Sequence, residues 1–331
     1  MNPKYDLLSI GDSSMDVFIT PSESETLCIL DNKECLICFS YGDKIPVKNI
    51  DFSVGGNAAN LAVGAVRLGL KTGLALTLGD DITGREIVEK LKKEGVDMTY
   101  VIVQPSTDSN YSTVVNYQGE RTIFVYHSPR SYEFPVNLPQ VPWVYLTSMG
   151  ENFVPFYKQV ADWLRKNPTT KLAFNPGSYQ LRAGTEALKD ILSLAYVVFI
   201  NREEAEKLTG FGESQGKEKD LLKKVNSLGP KIPVITDGNN GSFVYDGTKF
   251  IRVGVLPVDA YERTGAGDAF SSGCLSAIIK GKSLDEALLW GTLNSASVIG
   301  YVGPQKGLIK ESDMQTWLER AKSSEVAVGE F

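Results

Sequence analysis

Short apolar runs alternate along most of the chain with longer stretches whose apolar positions recur every three or four residues. That alternation predicts parallel strands joined by crossover helices, packed as a doubly wound, mostly parallel α/β sheet with helices on both faces. The first strand is predicted at residues 5–11. A helix follows at 57–68, with Ala58, Leu61, Ala62, Ala65 and Leu68 along one side. Residues 72–78 read as a strand, and 83–94 as an amphipathic helix capped by Thr83 with Glu86 at the capping-box position. Further strands are expected at 144–147, 171–175, 196–201 and 232–236, and further helices at 153–165, 184–194 and 217–228. Two helices at 265–280 and 284–299 and a short one at 311–322 complete the series, leaving a polar tail expected to be loose.

Two stretches break the rhythm. Residues 26–54 and 101–126 read as strands joined by turns, with alternation in 111–117 and a Gln118-Gly119 turn before 121–126. Two β insertions in a parallel α/β chain can pair into one small sheet over the edge where ligands bind, and such a lid would exclude water. Two decorated loops are the plainer reading.

Composition narrows the choice of partners. The 331 residues are 42% hydrophobic and 22% charged, with a formal charge of −6 and no blocks of Lys or Arg, which argues against nucleic acid or an anionic membrane as the main partner. No apolar run approaches the length of a membrane span. The opening residues lead straight into the first strand, so a cytoplasmic location is expected. The four cysteines, Cys28, Cys35, Cys38 and Cys274, form no disulfide framework at this chain length, and the single histidine, His127, leaves Cys35-x-x-Cys38 short of a closed zinc site. The lone histidine also excludes most Ser-His-Asp and two-histidine metal chemistries.

The residues with most chemistry are Thr264-Gly265-Ala266-Gly267-Asp268, which run into a helix of small side chains. Gly265, Ala266 and Gly267 offer backbone N–H groups at a helix N-terminus, where anions are attracted. A carboxylate in that turn conflicts with bound phosphate unless Asp268 acts as a base on a hydroxyl while the amides hold the phosphoryl group it attacks. That combination points to phosphoryl transfer to an alcohol. A second Gly-rich element, Gly55-Gly56-Asn57-Ala58-Ala59-Asn60, places Asn57 and Asn60 for substrate hydroxyls, or simply caps a helix. Asp16 follows the first strand and could bind two hydroxyls; Asp12 or Asp16 could equally be turn formers. Asn201 and Glu204 stand three apart at a strand-to-helix turn, suited to holding water around Mg²⁺ or to starting a helix. Thr236, Gly238 and Gly241 suit a nucleotide contact or a hairpin turn. Residues 64–72 nearly spell a P-loop, but the lysine is one place late and sits at a helix end.

In order and separation these motifs make the chain resemble the ribokinase-like (PfkB) family of carbohydrate and nucleoside kinases over almost its whole length. The resemblance implies one kinase domain over residues 1–331, with a lid from segments at about 17–54 and 98–130. It implies ATP and Mg²⁺ as cofactors, Asp268 as catalytic base, and Gly265, Ala266 and Gly267 as the anion hole. Asp16, Gly56, Asn57 and Asn60 then fall on the acceptor site, Asn201 and Glu204 on the Mg²⁺–phosphate motif, Thr236, Gly238 and Gly241 near the nucleotide, and Asn294 near the adenine. Where the family commonly reads Asp-Thr-Thr before Gly-Ala-Gly-Asp, this chain has Glu262-Arg263-Thr264, which leaves the monovalent cation of the family open and puts Arg263 where it could face the phosphates. Lysine commonly stands in ribokinase where this chain has Asn57. The expected reaction is γ-phosphoryl transfer from ATP to a sugar hydroxyl. A nucleoside acceptor is the alternative, with Phe18, Phe39, Tyr111 and Phe124 as a possible base slot. A sugar phosphate would need cations, for which Arg121 and Arg130 are the candidates. A non-catalytic sugar- or nucleotide-binding sensor is the alternative of another class. Dimerisation through the lid is expected if its edge is apolar.

Overall fold

The computed structural model describes residues 4–22, 25–29, 34–117, 120–135 and 137–331. The expected turn at Gln118-Gly119 and the Cys28 and Cys35 side chains lie outside what is described. Among the described residues, strand β1 (Leu7–Ile10) sits inside a ten-stranded sheet. On one side it is flanked by β6 (Thr72–Gly79) and β7 (Asp97–Gln104), on the other by β10 (Trp143–Leu146), β11 (Lys171–Phe174), β12 (Ala195–Asn201) and β13 (Ile232–Thr236), all parallel. The antiparallel strands β14 (Ser242–Tyr245), β15 (Phe250–Val253) and β16 (Val328–Glu330) finish that edge.

Side chains of β1 alternate between two cores, as strand geometry requires. Leu8 and Ile10 pack with α3 (Phe153–Lys166), α4 (Ser178–Leu194), α5 (Arg202–Thr209) and α6 (Glu218–Ser227). Leu7 packs with α1 (Asn57–Arg67), α7 (Ala266–Ile279), α8 (Leu284–Val298) and α9 (Met314–Ser323). Helix α2 (Ile82–Lys93) covers β6 through Ile87 and Leu91. Helix α7 is buried from Ala269 to Ala277, so it lacks an amphipathic period. Its small residues let α8 approach closely: a Cβ on Gly273 would lie 2.6 Å from the Trp290 carbonyl oxygen.

Both inserted segments contribute to one four-stranded sheet, ordered β5 (Val47–Gly55), β2 (Ser14–Pro21), β8 (Asn110–Tyr117) and β9 (Glu120–Tyr126). Strands β3 (Glu25–Ile29) and β4 (Glu34–Cys38) form a separate hairpin. Asp16 therefore lies inside a strand, not in a turn.

The sequence expectations need four local corrections. Residues 101–104 belong to β7 at the edge of the main sheet, not to the lid. The cap of α2 is Asp81, whose carboxylate accepts from Gly84 N at 2.7 Å and from the Ser109 hydroxyl at 2.7 Å, while Glu86 pairs with Lys90. A cap that also ties down the start of β8 outweighs the local Thr83–Glu86 signal. Helix α4 begins at Ser178 and breaks at Gly184, where φ is 79°. Finally, the tail is a strand: β16 pairs with β15, and Phe331 packs on Phe243 and Phe250.

Candidate active site

Two Gly-rich helix starts meet at the C-terminal edge of the parallel strands. Gly56 caps α1 with φ 89°, and a Cβ there would lie 2.6 Å from the Asp12 carbonyl oxygen. Gly265 caps α7 with φ 79°, and a Cβ there would lie 2.3 Å from Pro304 Cβ. Only glycine meets both demands at either position. Helices α1 and α7 pack together, with Gly64 against Ser272, which brings Asn60 to Asp268. The Asn60 amide donates to Asp268 Oδ2 at 2.8 Å, and Asn60 Oδ1 accepts from Gln305 Nε2 at 3.0 Å.

The first turn of α7 divides two cavities of about 350 Å³ each. Gly265 and Asp268 line the first, together with Asp16, Gly56, Asn57 and Asn60. Ala266 and Gly267 line the second, together with Thr236, Gly238 and Gly241. The second cavity is walled by Val255, Leu256, Pro257 and Val258, with Ala296 and Ile299 opposite. Arg263 also lines it, is exposed, and follows the buried Glu262. Glu262 accepts from Thr264 N at 2.6 Å and from Gly303 N at 3.4 Å, bracing the approach to the α7 turn.

Burial pushes the Asp268 carboxyl up to about 6; the Asn60 amide opposes this, and the charges of Asp16 and Glu204 add to it. Burial likewise raises Asp16, against hydrogen bonds from Ser14 and Ser112, and raises Glu204. At neutral pH Asp268 is ionised yet close to its titration, as a general base requires.

Several expected residues are placed differently. Asn294 reaches neither cavity. It is fully buried, donates to the Ala269 carbonyl at 2.8 Å and Ser272 Oγ at 3.0 Å, and accepts from Ile309 N at 2.8 Å. Its helix neighbours Thr292, Ser295 and Ala296 face the second cavity instead. Asn201 lines neither cavity either. Its Oδ1 accepts from Glu204 N at 2.8 Å and Glu204 Oε2 accepts from Asn201 N at 2.9 Å, a reciprocal helix cap that aims Glu204 into the first cavity. Arg130 is buried, makes four hydrogen bonds to the carbonyls of Thr77, Asp108 and Ser128 and to Asn110 Oδ1, and lines neither cavity. The four aromatics expected as a base slot stay out of the first cavity; Phe124 and Phe39 are exposed, Phe18 borders a different hollow, and Tyr111 packs on the α2 core. Tyr126, His127 and Tyr179 line it instead, with the His127 and Tyr179 rings edge-on at 5.4 Å.

Asp12 was legible only as a turn former, yet it lines the first cavity almost fully buried. No local signal marked Asn110 and Ser112, two residues apart on β8, or Tyr179 at the start of α4, which reach the cavity from opposite parts of the chain. Among the described residues no three His, Cys, Asp or Glu side chains cluster tightly enough to hold a metal by themselves. Glu204 with its capped helix start suits a Mg²⁺ ion carried by phosphates and water, which needs few protein ligands.

The comparisons with known proteins bear on this geometry. The family model for pfkB family carbohydrate kinases matches residues 23–311. The chain belongs to that family. It is therefore a phosphotransferase with a hydroxyl acceptor, and its relatives spread over several acceptors. It is 25% identical to an ATP-dependent 6-phosphofructokinase of Thermoanaerobacterium thermosaccharolyticum, over 91% of this chain and 89% of that protein. It is 27% identical to a ribokinase of Haemophilus influenzae, over 85% and 92%. Its fold matches that of Arabidopsis thaliana ribokinase complexed with ribose and ATP, with TM-score 0.78 at 20% identity, covering 95% of this chain and 99% of that one. It also matches a Burkholderia thailandensis nucleoside kinase in complex with inosine, with TM-score 0.74 at 18% identity, covering 96% and 98%. The ribokinase-like fold, with a mostly parallel sheet flanked by helices, is thus shared across the family. Among the described residues no helix is long and apolar enough to cross a membrane.

Proposed function

We propose that this family member transfers the γ-phosphoryl group of ATP to a sugar hydroxyl, with Asp268 as the general base. The observation that carries the reading is the turn shared by two cavities, with Asp268 lining one and Ala266 and Gly267 lining the other. ATP lies in the second cavity, its base against the apolar wall of Val255–Val258 and its phosphates toward Gly267. The sugar lies in the first cavity, with hydroxyls on Asp16, Asn57 and the Gly56 backbone. Asp268, held by Asn60, takes the hydroxyl proton as the oxygen attacks in line, and the turn amides stabilise charge on the group in flight. Asp268 needs a hydroxyl within hydrogen-bond reach, and Asn60 fixes the carboxylate so that no reorganisation accompanies attack.

Thr236, Gly238 and Gly241 border the nucleotide, and Arg263 faces its phosphates. Bound with ATP, Mg²⁺ would neutralise phosphate charge, held through water by Glu204. Asn201 serves by capping that helix, and Asn60 by positioning the base. A nucleoside acceptor is the second reading, favoured by the His127–Tyr179 pair, whose rings offer a face to a base. The apolar outer face of the lid sheet, with Ile50, Phe52 and Phe124 all more than half exposed, suits a homodimer. The test is coupled ADP release with ATP·Mg²⁺ over ribose, fructose, 2-keto-3-deoxygluconate, fructose 6-phosphate, adenosine, cytidine and inosine, beside Asp268→Asn. Turnover on one acceptor, lost in the variant, supports the reading. Acceptor binding without any ADP release from wild type overturns it in favour of a sensor.

A further inference from the structure

We infer that the acceptor is an uncharged or amine-bearing polyol that donates a hydrogen bond to Asp12, and that this cavity rejects sugar acids and sugar phosphates. The inference rests on the kinase reading only for the word acceptor; the recognition chemistry belongs to the cavity itself. Four carboxylates line that cavity: Asp12, Asp16, Glu204 and Asp268. Among the described residues no Lys or Arg lines it. Its one basic side chain, His127, is held toward the neutral form by burial and by the charge of Arg130. Arg130 itself lies outside the lining, buried and hydrogen-bonded to three backbone carbonyls and to Asn110 Oδ1, and Arg121 borders a separate hollow beside Asp51 and Glu262. An anionic ligand would therefore meet four carboxylates in a partly dehydrated space, with the charge of Arg130 set behind Asp12 and no Lys or Arg in the described lining to pair with directly.

Asp12 turns this general sign into a specific demand. It is 4% exposed, and its Oδ2 accepts from the Tyr132 hydroxyl at 2.9 Å. The Tyr132 oxygen in turn accepts from Gly150 N at 2.7 Å, so the single phenolic proton is fixed on Asp12. The other oxygen, Oδ1, is buried with no hydrogen-bond partner. Burial pushes the Asp12 carboxyl up to about 6, against the Tyr132 hydroxyl, the charge of Arg130, Gly150 N and the nearby Asn110 amide, and it remains mostly ionised at neutral pH. Buried carboxylate oxygens without donors are uncommon because the missing bond costs stability. Asp16, by contrast, already accepts from Ser14 Oγ at 2.8 Å. The wall is one donor short at Asp12, and a hydroxyl or ammonium of the acceptor supplies it.

The test is calorimetric binding to the whole protein, with Mg²⁺ and a non-hydrolysable ATP analogue present. The ligands are glucose, glucosamine, gluconate and glucose 6-phosphate, and the neutral, amino, acid and phosphate members of the fructose and ribose series. In whichever series binds, the neutral or amino member binds at least tenfold tighter than the acid and the phosphate. Asp12→Asn weakens that member at least tenfold. Tyr132→Phe keeps the charge and frees a second carboxylate oxygen, so the preference for the amino over the neutral member rises at least threefold. The inference is overturned if an acid or phosphate binds tightest, if no neutral or amino member binds at 10 mM, or if both variants bind as wild type does. ADP release is read separately. Tight binding of a neutral or amino sugar with no ADP formed would remove the kinase reading and leave the recognition of the ligand standing.

Discussion

Asp268→Asn separates chemistry from stability, because the structure assigns opposite signs to the two. The carboxyl is raised from 3.8 to about 6, first by burial and then by the charges of Asp16 and Glu204. At about 1.4 kcal/mol per unit this is at most ~3 kcal/mol of strain on the ionised form. Because the Asp268 residue is only half-buried, solvent screening reduces the expected gain to about 1–3 kcal/mol. A raised carboxyl binds its proton more readily folded than unfolded. Stability from this group is therefore full below about pH 4, falls as pH rises toward about 6, and stays lost above it. An Asn at 268 still accepts from the Asn60 amide and carries no charge. The variant should be about 1–3 kcal/mol more stable than wild type at pH 7.5 and nearly equal to it at pH 4, measured by urea unfolding at both values. Its kcat on the best acceptor should fall by about 10²–10⁴, the usual worth of a general base. Wild-type kcat/KM should lose activity below about pH 6. Turnover within tenfold of wild type would refute the base assignment. A variant less stable at pH 7.5 would refute the electrostatic reasoning.

Four further outcomes follow from the same geometry. Gly265→Ala puts a Cβ at φ 79° and 2.3 Å from Pro304, so it should cost roughly 2–5 kcal/mol and most of the activity; an unchanged melting temperature would contradict this. Arg263→Ala removes an exposed guanidinium from the second cavity and should raise KM for ATP about tenfold with unfolding unchanged, a prediction that fails if ATP kinetics are unaltered. Asn294→Ala deletes three buried hydrogen bonds and should cost about 2–4 kcal/mol while KM for ATP stays within twofold; a tenfold rise in that KM without loss of stability would restore an adenine contact. For the lid face, gel filtration at micromolar concentration should give about twice 36.2 kDa, and Phe124→Asp should return it to one copy; a wild-type monomer would dispose of the dimer.

The architecture was largely legible because parallel strands and crossover helices carry strong, local periodicities. Helices α7 and α8 were visible although α7 has almost no amphipathic face, since Gly-Ala-Gly-Asp marks its start and small residues fill its length. The two glycine turns, with Asn60 after one and Asp268 after the other, were likewise legible as motifs, each beside a helix start. The misplacements have one physical source: a side chain's partner is chosen by packing, not by neighbours in sequence. Asn294 stands among residues that face the second cavity, yet its helical phase turns it toward Ala269 and Ile309. Arg130 reads as a free cation until the carbonyls of Thr77 and Asp108 are brought to it.

By itself the sequence determined the fold class, the two glycine turns and the identity of the candidate base, because each depends on backbone freedom and charge within a few residues. Only the tertiary structure decided what that base faces. The division of two cavities by one helical turn depends on contacts between segments some two hundred residues apart, such as Asn60 with Asp268. So does the gathering of four carboxylates in the first cavity, where Asp12 Oδ1 is left without a hydrogen-bond partner. Long-range packing sets those distances, and no local pattern encodes them.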